Sequence, residues 1–112
     1  MTELIELSAV EQAALIREKK ISSVELLEAT LAQVEKVDGR SGSLEPYVEQ
    51  PEDLEKVHAF LLIVRDHAMA KAKEVDRKIA AGEPVGALAG VPYSAKDVYC
   101  TKGIRTTAAS RI

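Results

Sequence analysis

The sequence contains one cysteine, Cys100, no tryptophan, and only four aromatic residues, Tyr47, Phe60, Tyr93 and Tyr99. A single cysteine excludes an intramolecular disulfide and any Cys-x-x-Cys metal pattern, so no metal site is expected and a reducing, cytoplasmic setting is the natural inference. With so few aromatics, a core has to be assembled from Ala, Leu, Val and Ile, which suits helices packed closely on a sheet. Long hydrophobic runs are missing too. The longest, Ala59 to Val64, is far too short to span a bilayer, and the opening MTELIELSAVEQ carries acidic residues where a signal peptide carries basic ones. No membrane partner is expected. There is no basic excess either: the net charge of -3 argues against a general binder of nucleic acid or membrane surfaces.

What is present is ordinary globular material. Apolar residues make up 46% and charged residues 29% of a 112-residue chain, enough for one small domain and too few for two. Charge is uneven along it. From Tyr93 onward Lys96, Lys102, Arg105 and Arg111 oppose only Asp97. Two readings of that surplus stay open, a solvated face or a mildly electropositive site for an anionic substrate or transition state.

Helix signals come first. Ser8-Ala9-Val10-Glu11 has the form of a capping box, predicting a helix over about 9–18, with Arg17, Lys19 and Lys20 at its negative end. Ser22-Ser23-Val24-Glu25 repeats the signal, and Leu26, Leu27, Thr30, Leu31, Val34 and Val37 at helical spacing predict a second helix over about 23–37. Residues 38–53, DGRSGSLEPYVEQPED, read as a surface loop. The apolar run His58 to Val64 suits a buried strand, and from Asp66 as N-cap the spacing of Ala68, Met69, Ala72, Val75 and Ile79 predicts a third helix stopped by Gly82. A Gly/Pro-punctuated loop over 83–92 leads into a second expected strand, Tyr93 to Val98. The expected class is therefore α/β, in the order helix-helix-strand-helix-strand. The chain stops at Ile112 without a terminal helix or polar tail, as if cut. A piece of this size leaves much surface uncovered, so the helix faces bearing Leu31, Val34 and Ile79 are expected to expose apolar area.

Lys96 is the residue that packing alone does not explain. Burying an ammonium inside an apolar strand is costly unless it is paired or deprotonated, and a desolvated neutral lysine can act as a base where arginine cannot. The alternatives are pairing with a carboxylate and a head group that snorkels to solvent. Asp97, its neighbour, is expected on the opposite sheet face. Cys100 is expected to be a small buried apolar side chain rather than a reactive thiol. His58 and His67 flank the apolar run without metal-ligand spacing. Thr106 and Thr107 are expected to satisfy turn hydrogen bonds.

Leu88-Ala89-Gly90-Val91-Pro92, then Lys96-Asp97, then Cys100-Thr101-Lys102-Gly103-Ile104-Arg105-Thr106-Thr107-Ala108-Ala109-Ser110, is similar to the segment that carries the catalytic lysine in the amidase signature family. Ile21-Ser22-Ser23-Val24-Glu25-Leu26, His58-Ala59-Phe60 and Ala80-Ala81-Gly82 resemble the start of the same family, so nearly the whole chain is covered. The resemblance implies that residues 1–112 are the N-terminal segment of one amidase domain, helices packed on a mixed sheet, ending before a Gly/Ser-rich stretch. In a Ser-cisSer-Lys triad, Lys96 would be the base acting through one serine on another. Both serines would come from that later stretch, so this segment alone is expected to be inactive. Ser41-Gly42-Ser43 precedes the lysine and has a turn explanation, and Ser110 would support the site rather than attack. The family often has a bulkier aliphatic residue where Ala95 stands, and the 38–57 connection looks longer than usual.

Within the family, the ISSVEL and CTKGIRTT runs look most like the branch formed by the A subunits of tRNA-dependent amidotransferases. That branch implies glutamine hydrolysis supplying ammonia for transamidation of Glu-tRNA(Gln), with B and small C subunits as partners. No cofactor is implied for this chain; ATP and Mg belong with the B subunit. A stand-alone amidase acting on small amides and a non-catalytic truncated product are the alternatives.

Overall fold

A computed structural model of the chain describes residues 3–39, 51–97 and 99–108. Among these, three helices carry the fold: α1 (Ala9–Arg17), α2 (Ser23–Asp38) and α3 (Arg65–Ala80). Short 3₁₀ turns precede α1 at Leu4–Glu6 and follow α2 at Pro51–Glu55.

Each boundary has a local cause. Ser8 caps α1 by accepting from the Glu11 amide at 3.2 Å. Its C-terminus closes with Lys19 at φ 59° and with Lys19 N and Lys20 N donating to Ile16 O and Leu15 O, the paired bonds of a Schellman motif. The same motif ends α3. Gly82, at φ 73°, donates to Ile79 O, and Glu83 donates to Lys78 O. At the start of α3 the expectation is corrected. The helix begins at Arg65 after Val64, so Asp66 lies inside the first turn. There its negative charge still complements the positive end of the helix dipole.

Helix α2 is sealed at both ends by groups far away in sequence. The first four amides of a helix have no intrahelical acceptor. Here Ser22 N and Glu25 N exchange bonds with the Glu25 and Ser22 side chains in a complete capping box. The remaining two, Ser23 N and Val24 N, donate to the two oxygens of Asp76 on α3, at 2.7 and 3.1 Å. At the other end Gly39 turns the chain at φ 83°, and a Cβ there would collide with the Lys56 side chain. The returning segment satisfies the last carbonyls: Lys56 Nζ donates to Lys36 O, Val57 N to Val37 O and His58 N to Asp38 O. The Asp38 carboxylate, 2% exposed, accepts from Ala59 N at 2.5 Å and Phe60 N at 3.4 Å. Asp38 is thus the last residue of a helix and a buried anchor, not the start of a surface loop. Residues 40–50 of that expected loop, with Ser41-Gly42-Ser43, lie outside the described residues.

The main core lies between α2 and α3. Leu27, Leu31 and Ala72 are buried there, with Val24, Ile63, Ala68 and Met69 packed around them. Alanines at 68 and 72 let the helices approach closely, and each buried leucine contributes roughly 1.5–3 kcal/mol. Ala13, Ile16 and Leu26 are also buried. Leu31, expected on an exposed face, is therefore core, and Val34 and Ile79 are half-buried. Apolar exposure falls elsewhere, on Leu54 at 82%, Tyr93 at 87% and Tyr99 at 67%. The Arg65–Glu35 ion pair across the helices, at 2.6 Å, is too exposed to hold them together.

The expected strands are absent among the described residues. The one bridge among them is the turn pairing of Thr101 with Ile104. A strand is defined by a ladder to a neighbour, and 58–64 meets helices instead: its first amides go to Asp38 and its Ile63 side chain goes into the helical core. Residues 93–97 likewise run without a ladder, and Val98 lies outside the described residues. The α/β order is therefore not confirmed: the described residues are helices joined by extended segments.

Two expectations follow for stability, measured by urea unfolding of the intact protein. Ser22→Ala removes one acceptor and is expected to cost about 1 kcal/mol, whereas Asp76→Ala orphans two amides and is expected to cost roughly twice that. Asp38→Ala leaves the Ala59 and Phe60 amides without their buried acceptor and is expected to cost about 1–3 kcal/mol; unchanged stability would show that the 56–60 crossing does not depend on it.

Candidate functional site

The segment 86–108 contains the residues singled out for chemistry, and the helices hold its upstream end. Residues 86–91 wind through two successive turns, with Ala89 N donating to Gly86 O and Val91 N to Leu88 O. This coil lies on the helical layer. Arg17 Nη1 donates to Ala87 O at 2.7 Å, and the Ser23 hydroxyl donates to Gly90 O at 2.9 Å. Gly90 has φ 86°, and a Cβ added to it would stand 3.0 Å from Ser23 Oγ and 3.1 Å from Ile16 Cδ1. The glycine is required twice over, by its backbone angle and by the close approach. Val91 and Pro92 are half-buried, after which Tyr93, Ser94, Ala95 and Lys96 emerge into solvent.

Downstream of Lys96 the chain folds back on itself. Tyr99 N donates to Lys96 O at 3.1 Å. Residues 101–104 make a turn with Gly103 at φ 78° in its third position, the signature of a type II turn, and Ile104 N donates to Thr101 O. Asp97 closes the loop. Its carboxylate accepts from Thr107 N at 3.1 Å and from the Thr107 hydroxyl, while its carbonyl accepts from Ala108 N at 3.1 Å. The Thr106 hydroxyl adds a bond to Tyr99 O at 3.2 Å. Both threonines serve as turn donors, as expected.

Lys96 is exposed, and its ammonium pairs with no carboxylate among the described residues. Of the three readings open for it, the head group in solvent is the one realised here, and burial in a strand is corrected. The physical reason is the missing ladder: with no neighbouring strand and no layer over 93–97, nothing desolvates the side chain. Lys102 and Arg105 are exposed as well, and Arg111 lies outside the described residues. Cys100 is exposed rather than buried, for the same reason. Asp97 is half-buried and bonded within the loop rather than placed on an opposite sheet face. His58 is half-buried at the α2 crossing and His67 is exposed on α3. No group of acidic, histidine or cysteine side chains suited to a metal is present among the described residues. Ser110 lies outside them.

The arrangement presents one primary amine between two fixed backbone points. Exposed as it is, it can donate hydrogen bonds to, or pair with, an anionic group brought to it; no described serine or cysteine hydrogen-bonds its side chain. Sequence reasoning did not find Ser23, Asp76 and Gly90 as supports of this segment. The available signal was the doubled serine at 22–23, since a single serine suffices for a cap.

Comparisons with known proteins bear on the same residues. A model of the Amidase family matches residues 43–112, more than half of the chain and all of the Lys96 loop. The A subunit of the glutamyl-tRNA(Gln) amidotransferase of Streptomyces coelicolor is 42% identical over 112 residues, 100% of this chain and 19% of the relative. The protein of the same name from Salinispora arenicola is 44% identical over 112 residues, 100% of this chain and 20% of the relative. That of Picosynechococcus sp. is 47% identical over 94 residues, 84% of this chain and 16% of the relative. The chain thus spans about a fifth of the length of the curated relatives it matches. No solved structure matches it. No helix among the described residues is long and apolar enough to cross a membrane. A family match over most of the chain, on the segment that the helices hold and the Asp97–Thr107 bonds close, settles the assignment: the chain belongs to the amidase family.

Proposed function

We propose that this chain is the lysine-bearing segment of a glutamyl-tRNA(Gln) amidotransferase A subunit. The observation that carries the reading is its 42–44% identity, across all 112 residues, to relatives so named. In this reading the protein hydrolyses glutamine in the cytoplasm and supplies ammonia for converting Glu-tRNA(Gln) to Gln-tRNA(Gln), in a complex with B and C subunits. ATP and Mg act with the B subunit. The whole A subunit would then assemble as helices on a mixed sheet, with further strands laid beside 58–64 and 93–97.

The chemistry assigned to Lys96 follows from its side chain. A serine hydroxyl is a weak nucleophile until a base takes its proton, and a lysine becomes a base only where burial disfavours its charged form. In the described residues Lys96 faces solvent. The role therefore requires protein laid over 93–97, which supplies both the desolvation and the two serines of a Ser-cisSer-Lys triad. The fixed backbone on either side of Lys96 suits such an arrangement, because a base is useful only at a defined distance from the proton it takes.

The test is ammonia release from glutamine by the intact protein with its partner subunits. Lys96→Ala is expected to lower kcat by about 10²–10⁴-fold. Lys96→Arg, which keeps the charge but cannot give up its proton, is expected to be equally impaired. Activity retained by the arginine variant would make the residue an electrostatic support instead of a base. Activity retained by the alanine variant would remove Lys96 from the mechanism. Hydrolysis of small amides in preference to glutamine would point to a stand-alone amidase.

A further inference from the structure

We propose that Ser23 is a positioning residue for Lys96, acting through Gly90 and itself held by Asp76; this rests on the reading of Lys96 as the catalytic base. Three observations converge on it. The Ser23 side chain is 1% exposed although serine is a surface residue by preference, and its hydroxyl is spent on the Gly90 carbonyl at 2.9 Å. It is not the cap of its own helix, since that role belongs to Ser22. Its backbone amide is fixed in turn by the Asp76 carboxylate at 2.7 Å. One residue, itself buried, therefore joins α3, α2 and the lysine-bearing segment through a continuous chain of part-buried polar contacts.

Geometry turns that contact into an anchor. Gly90 packs so closely on Ser23 and Ile16 that a Cβ, at 3.0 and 3.1 Å from them, would have to push them aside by a few tenths of an ångström. Arg17 holds Ala87 three residues earlier, and Pro92 restricts the backbone two residues later. Lys96 lies six residues beyond the anchor and one residue before Asp97, which pins the downstream side to Thr107. The lysine thus projects from a short span tethered at both ends. Loss of the upstream tether would free residues 91–96 while leaving the Asp97–Thr107 closure intact. A base displaced by about 1 Å loses on the order of a hundredfold in rate without a matching loss of substrate affinity.

The experiment compares Ser23→Ala, Gly90→Ala and Ser22→Ala in the intact protein, by hydrogen exchange and by the pH dependence of kcat and KM for glutamine hydrolysis. Ser22→Ala is the control, because it weakens the same helix end without touching Gly90. Ser23→Ala and Gly90→Ala are expected to speed exchange over 87–97 by about tenfold, the factor that one buried hydrogen bond represents. They are expected to lower kcat by roughly tenfold to a hundredfold and to move its pH profile, with KM within about twofold. Ser22→Ala is expected to lower the unfolding temperature while leaving exchange over 87–97, kcat and the pH profile as in the parent. Exchange over 87–97 no faster in Ser23→Ala than in Ser22→Ala would overturn the anchor. Faster exchange with kcat and pH profile unchanged would overturn the positioning role. Lys96→Ala in the same assay separates the two ideas: if it stays active, the base assignment fails, while the exchange data still decide whether Ser23 holds the segment.

Discussion

A helix N-terminus presents backbone amides that must find acceptors once water is excluded, and the structure is organised around how α2 meets that requirement. Its own sequence supplies acceptors for two of them, through the reciprocal Ser22–Glu25 box. The other two are met by Asp76, which arrives from α3 after an excursion of some fifty residues. The carboxylate also sits at the positive end of the helix dipole, so the contact is favoured by charge as well as by hydrogen bonding. Because Asp76 is rigidly placed on α3, this single group fixes where the two helices cross at that end. The Leu27, Leu31 and Ala72 core then packs in the register it sets.

The opposite end of α2 obeys the same rule with the signs reversed. Its last carbonyls need donors, and the chain returning at 56–58 provides them, while the Asp38 side chain accepts from the two amides that follow. A buried carboxylate beside the negative end of a helix is an unfavourable placement unless its oxygens are bonded. Here Oδ1 satisfies Ala59 and Phe60, whose amides would otherwise be left without an acceptor, whereas Oδ2 is buried without a hydrogen-bond partner among the described residues, so the anchor carries a local cost. Apolar burial provides the driving force of this small fold, and these polar ends decide which of the possible packings is taken.

The Lys96 loop inherits its position from that frame. Ser23, held by Asp76, bonds the Gly90 carbonyl, and glycine suits that position because a side chain would be both strained by its backbone angle and crowded by Ser23 and Ile16. Beyond Pro92 the chain leaves the helical layer and is ordered by its own bonds, with Asp97 and Thr107 as the closure. The loop is therefore rigid at its base and solvated at its tip. No described residue covers that tip, so a lysine, a cysteine and two tyrosines lie exposed together.

The sequence by itself determined what depends on neighbours in the chain. Ser8 and Ser22 announced two helix starts, Gly82 a stop, and apolar spacing the buried stripe of α2, because caps, left-handed residues and helical periodicity act within a turn or two. The family was legible for the same reason, since LAGVP, Lys96-Asp97 and the threonine pair stand at fixed local spacing. Tertiary structure alone decided the rest. Whether His58 to Val64 becomes a strand depends on a neighbour with free ladder groups, and in the described residues its first amides turn to Asp38 instead. Asp38 read as the start of a surface loop and Asp76 carried no local signal; only distant backbone amides give each its role. Whether Lys96 is charged in water or neutral in a cleft is set by what covers it, and burial is a property of the assembled protein that no local pattern encodes.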